Sequence, residues 1–504
     1  MSNGVNFLTN FNFSRQAMSI TGILILALLL RLPHLNGSFW MDEAAQALES
    51  VRPFSQQLAI AQDFQPPLLH YLVHFATQIS LAEWWLRLWG ALLPGLSIVF
   101  ATWLIGKKLT NNDWIAGLSS ILVATSSLHI FFSQELRPYA LPAAIAIWSW
   151  WLITTRLSNK HGIWWLGGLT ALGLYSSYLY PFVVLGQLGY LYFHTTIELK
   201  KIAGAFAIAA ALFAPWLPGF LEQLAVGTQL RATLPGWEAV VSTPQLKALP
   251  LVVGKFIFGV IPLEPVSWQS IAALLIIGLS ALAWWITRHQ SHTKTMFRLF
   301  VWWVIVPLIS AWIISFVVPV IQPKRVLFAL PMLYLFVTTI AIAVTHNRQQ
   351  HFQNVGIFIM STALLFNVFG TYRYFTDSTL QREDWRSLII EIENDYPSDS
   401  VVVMAFPKPF SPWEWYASPT FPTATTQQMY VSQAFEVEPL VQKIYDQRYQ
   451  HVLVFDYLRD LTDPNRLIDQ LLLEYGYQES HLYDAGAIGF VRVYSQPQAV
   501  LSYK

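Results

Sequence analysis

Asp42 and Glu43 stand side by side in FWMDEAAQA, just after the first long apolar run of a chain in which only 12% of residues are charged. A third acid, Asp63, precedes Gln65-Pro66-Pro67 in DFQPPLLHYL. Glu135 and Arg137 lie two apart in SQELRPYAL, and Lys324-Arg325 stand in QPKRVLFALP. These residue types define a chemistry. A carboxylate takes the proton of a hydroxyl or holds a cation. An arginine grips phosphate oxygens with a planar fork of donors, and a lysine adds a compact point charge. Ionisable groups beside apolar segments are costly, so each is a candidate for function.

The elements that must position them are mostly membrane helices. The 504 residues are 54% hydrophobic, with 22 Trp and 33 Phe, and mean hydropathy is +0.43. Soluble domains carry about 25% charged residues, so this balance describes a polytopic membrane protein. A net charge of +1 and the lack of a basic tail exclude a general nucleic-acid binder. With no cysteine, disulfides, thiol catalysis and cysteine metal sites are excluded. The first apolar run lacks a small-residue cleavage site and reads as an anchor.

A spanning helix needs about 20 mostly apolar residues. About eleven segments qualify: 16–35, 84–105, 114–132, 138–155, 162–178, 180–194, 202–219, 269–287, 297–318, 325–345 and 353–370. With the N-terminus cytoplasmic, the inner segments hold Arg15, Lys107, Lys108, Arg156, Lys160, Lys200, Lys201, Arg288, Lys294, Arg298 and Arg348. The longer outer segments are mostly poor in Lys and Arg, as the positive-inside rule requires. Outer loops 36–80 and 220–266 are the long ones, and the first holds amphipathic stretches suited to lying in the interface. No internal repeat is evident, which disfavours an inverted-repeat transporter.

From about Tyr372 strand-like runs appear at 400–406, 451–458 and 487–495, with helical patterns between them. Two domains are therefore expected. Residues 1–371 form a transmembrane domain and residues 372–504 a small extracytoplasmic α/β domain. No phosphate-binding glycine loop follows the first strand, so no nucleotide site is expected there. On this layout the acids and the unusual cations fall on the outer face. An acid for a hydroxyl and cations for a phosphate at a membrane surface suit transfer of a sugar from a lipid phosphate.

Four segments carry a more specific resemblance: RLPHLNGSFWMDEA, FQPPLLHYL, SLHIFFSQELRPYAL and QPKRVLFALP. In order and sidedness they resemble the motifs of the GT-C superfamily of membrane glycosyltransferases. The branch is that of protein O-mannosyltransferases and the lipid A aminoarabinose transferase. REDWRS at 382–387 is similar to an Asp-Trp-Arg motif that opens the outer domain of bacterial members. The resemblance implies a GT-C fold and an inverting, single-displacement transfer from a polyprenyl-phosphate-linked sugar to an acceptor protein, lipid or glycan. It implies Asp42 as general base and Glu135 as a group that orients base or acceptor. Arg137, Lys324 and Arg325 would take the donor phosphate, with Glu43 and Asp63 supporting the acceptor or a cation. Trp40, Gln65 and Tyr139 would line the substrate. A multi-pass protein of a bacterial inner membrane follows. Two departures bear on the site: Gln65 stands where some relatives have a basic residue, and Phe64 stands where the aminoarabinose branch has a metal-ligating acid. No metal ligand set is therefore assigned, and a divalent cation stays open.

Plainer readings compete. Asp42 would cap the helix EAAQALES, and Glu43 would be a solvated first-turn acid. Glu135 and Arg137 would pair with each other, Lys324 and Arg325 would anchor at headgroups, and Arg31 would snorkel. His70 and His74 would be packed histidines. Tyr139, Tyr175, Tyr178 and Tyr180 would stack on a sugar or polyprenyl chain. The alternative function is a transporter or flippase of polyprenyl-linked sugars; another is a non-catalytic protein whose outer domain binds a partner.

Overall fold

An apolar segment that leaves water must satisfy its backbone internally, which favours the helix. The computed structural model of the chain describes residues 20–157, 161–236, 243–264, 267–347, 349–396 and 399–496, most of them helical. Three of the basic residues that set the expected orientation, Arg15, Lys160 and Arg348, lie outside these residues, as do positions 16–19 of the first expected span. Six described helices are long and apolar enough to cross a membrane: Glu83–Thr110, Leu199–Leu230, Trp268–Thr287, Ser291–Ile314, Leu327–Thr345 and Gln350–Thr376. Four shorter apolar helices are Ile20–Leu29, Asp113–Thr125, Ala140–Thr155 and Gly162–Leu174. Contacts divide the chain into two units. The first is Met1–Leu35, Gln65–Phe220 and Ser242–Leu380; the second is Asn36–Phe64, Leu221–Val241 and Gln381–Lys504.

In the first unit, the segment expected as one span at 114–132 is two helices, Asp113–Thr125 and Ser127–Phe132. Ser126 breaks the run, and its hydroxyl accepts the His129 amide at 3.5 Å. A helix end leaves its last four carbonyls without helical partners. Here side chains supply them. Asn367 Nδ2 donates to Leu122 O at 2.9 Å, Arg31 Nη2 to Val123 O at 3.5 Å, Arg31 Nη1 to Ala124 O at 3.1 Å and Thr371 Oγ1 to Thr125 O at 2.8 Å. Arg31 is fully buried, so it does not snorkel. It is a cation at a helix C-terminus, where the helix dipole favours it.

Two helices contain π turns, Leu88–Leu92 and Val301–Ile305, and each is followed by a proline, Pro94 or Pro307. Proline has no N–H for the ladder and crowds the carbonyl four residues back. The wider turn makes room for it. Close helix contacts rest on small residues. A Cβ at Gly186 would lie 2.0 Å from the Trp302 carbonyl, so only glycine fits there.

The second unit is built on a sheet of order β2-β1-β3-β5-β4: β1 Ser400–Met404, β2 Thr423–Thr425, β3 His451–Phe455, β4 Gln478–Asp484 and β5 Phe490–Ser495. β1 runs parallel to β2 and β3, while β5 is antiparallel to β3 and β4. The strands at 400 and 451 are uninterrupted apolar runs because both sheet faces are covered. Val401, Val403, Val452 and Val454 pack with Val441, Ile444, Ile468 and Leu472 on one face. Val402, Met404, Leu453 and Phe455 pack with Trp385, Ile389 and Ile392 on the other. The helix Met41–Val51 belongs to this unit and packs on the helix Ser411–Tyr416.

Candidate active site

In the second unit, Asp42 and Glu43 lie in the first turn of Met41–Val51, where the positive end of the helix dipole favours acids. Asp42 is half-buried and is not the cap. The N-cap position is Trp40, whose side chain makes no capping bond. Glu43 is fully buried, so it is not a solvated acid. The buried face of this helix, Glu43, Ala44, Gln46, Ala47 and Ser50, is turned into protein. Asp63 is half-buried, and its carbonyl accepts Gln223 Nε2 at 2.8 Å.

A chain of hydrogen bonds fastens the stretch before this helix to the sheet domain. Arg386 Nη2 donates to Asn36 O at 3.1 Å, and the Arg386 amide donates to Ser38 Oγ at 3.0 Å. The Phe39 amide donates to the Tyr416 hydroxyl at 2.8 Å, and Phe39 itself is fully buried. In the same motif Glu383 accepts Trp385 Nε1 at 2.7 Å and the Tyr457 hydroxyl at 2.9 Å. Burial pushes the Glu383 carboxyl above the usual range; its donors oppose this, and the Asp42 charge adds to it. Within REDWRS, Asp384 caps the helix Trp385–Asp395, accepting the Ser387 amide at 3.3 Å. Trp385 stacks on Phe455 with centroids 5.6 Å apart. The motif is thus a joint. Glu383, a residue that carries no helical or apolar signal, was not singled out by sequence reasoning.

Helical spacing places Asp42, Ala45 and Glu49 on one face of Met41–Val51. Ala45, Glu49 and Arg52 line a cleft of about 530 Å³ with Ile60, Lys408 and Glu414. Arg52 is fixed there by donating to Glu49 O and Ala59 O, each at 3.1 Å. Acids and cations beside aliphatic surface suit a hydroxyl-rich ligand.

In the first unit, Glu135 and Arg137 sit in the turn between Ser127–Phe132 and Ala140–Thr155. Glu135 is buried and Arg137 half-buried. The turn is held by backbone bonds from Arg137 N–H to Glu135 O and from Tyr139 N–H to Arg137 O, both 2.8 Å. The motif divides its labour. Gln134 donates to Arg31 O at 2.8 Å and to Pro33 O, and accepts the Tyr374 hydroxyl at 2.8 Å. It anchors the turn that presents Glu135 and Arg137. Two separate motifs meet where Lys324 Nζ lies 5.3 Å from the centroid of the Tyr139 ring. Arg325 Nη1 donates to Val320 O at 3.3 Å. Gln65 is buried, with its Nε2 3.1 Å from His70 Nε2; His70 and His74 are both buried on Leu68–Thr77. Tyr175 and Tyr178 are engaged with the protein through Leu212 O and Trp216 Nε1, both at 2.9 Å, and Tyr180 is buried.

Comparison with solved structures decides the fold. Over 94% of its length the chain superposes on 97% of apo ArnT from Cupriavidus metallidurans, with 10% identity and a TM-score of 0.54. It matches the same protein bound to undecaprenyl phosphate with 11% identity and a TM-score of 0.52, covering 95% of this chain and 97% of that one. This is the GT-C fold. AglB from Archaeoglobus fulgidus, an archaeal oligosaccharyltransferase in complex with an inhibitory peptide and a dolichol-phosphate, is also similar. Its TM-score is 0.52 at 11% identity, covering 97% of this chain and 75% of that one. No protein-family model and no curated protein matches the sequence. The GT-C fold that the motifs led one to expect is thus the fold the structural comparison gives.

Proposed function

We propose that the protein is an integral-membrane glycosyltransferase that moves a sugar from a polyprenyl-phosphate donor to an acceptor hydroxyl on the extracytoplasmic face. The observation that carries this is the match along nearly the whole chain to GT-C structures, two of which hold undecaprenyl phosphate or dolichol-phosphate. The sequence places acids and cations in the order that this chemistry needs. About eleven spans are proposed, with the N-terminus cytoplasmic and the sheet domain outside, in a bacterial inner membrane.

In the proposed reaction the acceptor occupies the cleft along Met41–Val51. Asp42 takes the hydroxyl proton. The acceptor oxygen then attacks the anomeric carbon opposite the phosphate, the bond from that carbon to the phosphate oxygen breaks, and the anomeric configuration inverts. The leaving polyprenyl phosphate keeps the bonding electrons, and Arg137, Lys324 and Arg325 neutralise it. Glu135 orients the base or the acceptor, and Trp40, Gln65 and Tyr139 line the substrates. Glu43 and Asp63 support the acceptor or a divalent cation. Activity that survives a chelator assigns them to the acceptor; loss restored by added divalent ion assigns them to the cation.

The test is mass spectrometry of products after incubation with a panel of polyprenyl-phosphate sugars. Asp42→Asn should leave the protein folded and abolish transfer. Turnover near wild type in that variant removes Asp42 from the mechanism, and movement of labelled lipid across liposomes without product favours a flippase.

A further inference from the structure

We infer, resting on the proposed seat of the acceptor in the cleft along Met41–Val51, that the acceptor is acidic. Arg52 and Lys408 take a carboxylate or phosphate that it carries beside the hydroxyl receiving the sugar. Neither the motifs nor the fold comparison gives these two residues a role.

Arg52 is the C-cap residue of Met41–Val51 and is half-buried. Its guanidinium is held by two backbone carbonyls, Glu49 O and Ala59 O, each at 3.1 Å. Carbonyls satisfy N–H groups but bring no charge to balance the cation. Lys408 is the second cation of the cleft and is exposed. Among the described residues, no carboxylate forms an ion pair with either of them. Taking a cation out of water without a counter-ion is costly. A half-buried guanidinium on the wall of an open cleft therefore marks a seat for an anion, and its planar donors suit a carboxylate or a phosphate. The sheet topology points to the same place. Lys408 and Ser411 follow β1, which ends at Met404, and both line the cleft. From β1 the chain passes to β2 on one side of the sheet; from β3 it passes to β4 and β5 on the other. The carboxyl ends of β1 and β3 thus flank a switch point in the topology, where open α/β sheets bind ligands. Two acids, Glu49 and Glu414, also line the cleft. Carboxylates accept from hydroxyls, so acids and cations together fit a glycan that carries both hydroxyls and an acidic group. A neutral glycan would leave the charge of Arg52 unanswered, and a basic one would meet two cations.

The experiment measures binding of three probes to the full-length protein in detergent by titration calorimetry: methyl glucoside, its uronic acid and its 6-phosphate. They differ only in the group at the primary carbon. A charge-assisted contact is worth about 10-fold or more in affinity, so we expect the two acidic probes to bind at least about 10-fold more tightly than the neutral one. The tighter of the two tells whether the acceptor brings a carboxylate or a phosphate. Lys408→Ala and Arg52→Gln should each reduce the preference for acid. The glutamine removes the charge of Arg52 and keeps N–H donors for the carbonyls of Glu49 and Ala59, so the helix end stays closed. Equal binding of the three probes, or binding of none, overturns the inference. So does a preference for acid that survives both variants. In transfer assays with an acidic acceptor, both variants should raise the acceptor KM and leave the donor KM unchanged. A rise in donor KM instead gives these cations to the donor phosphate and also overturns it. If the wild-type protein transfers no sugar from any donor while the preference for acid persists, the proposed reaction fails and the anion seat stands. Transfer to neutral acceptors that neither variant alters leaves the reaction standing and removes the seat.

Discussion

Asp42 occupies the second position of its helix, in the first turn and after the N-cap Trp40. Arg137 is the complementary charge. Removing one charge-assisted contact to a phosphate costs about 1.5–3 kcal/mol, or roughly 10- to 100-fold in an equilibrium. Arg137→Ala should therefore raise the donor KM by about that factor while acceptor KM is unchanged; unaltered donor dependence removes the phosphate role. Glu383 supports a pH prediction. Burial raises its carboxyl, so the folded chain keeps this proton at a pH where the unfolded chain has lost it. Stability then falls as pH rises from the ordinary glutamate value, about 4.3, through the raised value. Glu383→Gln removes that dependence. The melting temperature of the variant relative to wild type should climb as pH rises from about 4.3, and parallel curves would refute the assignment. Asp42, Glu135 and Arg137 stand out in the sequence as candidates because charge is scarce around them. The joint at REDWRS is not visible in sequence, because it forms only when Arg386 meets Ser38, 348 positions earlier.

At the scale of elements, the apolar runs announced most helices, and the misreadings have physical causes. The run 114–132 looked continuous because serine and histidine within an apolar stretch do not mark a break; the break is visible only once Asn367, Arg31 and Thr371 take up the freed carbonyls. β4 was missed because Gln478–Asp484 is largely exposed and shows no apolar alternation, as suits an edge strand. The helix expected to end at 219 runs on to Leu230. Arg31 offers the test at this scale. Besides capping, it donates to Ala27 O at 2.7 Å and to His129 Nδ1 at 2.7 Å. A buried acceptor left without its donor costs about 1–3 kcal/mol. Arg31→Met should lower the melting temperature of the detergent-purified protein well below wild type. An unchanged melting temperature, with donor binding intact, means that the carbonyls of the broken helix find other partners at little cost.

For the whole molecule, the proposed chemistry depends on which side of the membrane the acids face. On the proposed orientation the segments around Lys107, Lys200 and Arg298 lie inside and the acids outside. This chain permits a direct test because it contains no cysteine, so any introduced thiol is the sole target for a maleimide. Ser55 and Ser418, in the second unit, and Ser291, at the start of Ser291–Phe300, are all exposed. Polar substitutions of this kind at exposed positions leave stability within about 0.5 kcal/mol, so transfer activity should survive in all three variants. A membrane-impermeant maleimide added to intact spheroplasts should label Ser55→Cys and Ser418→Cys. Ser291→Cys should react only after permeabilisation. Labelling of Ser55→Cys and Ser418→Cys from opposite sides would separate two segments that belong to one unit, which the hydrogen bonds from Asn36, Ser38 and Phe39 to Arg386 and Tyr416 forbid. The reverse pattern, with Ser291→Cys alone labelled, would put Asp42 in the cytoplasm and end the outer-face reaction.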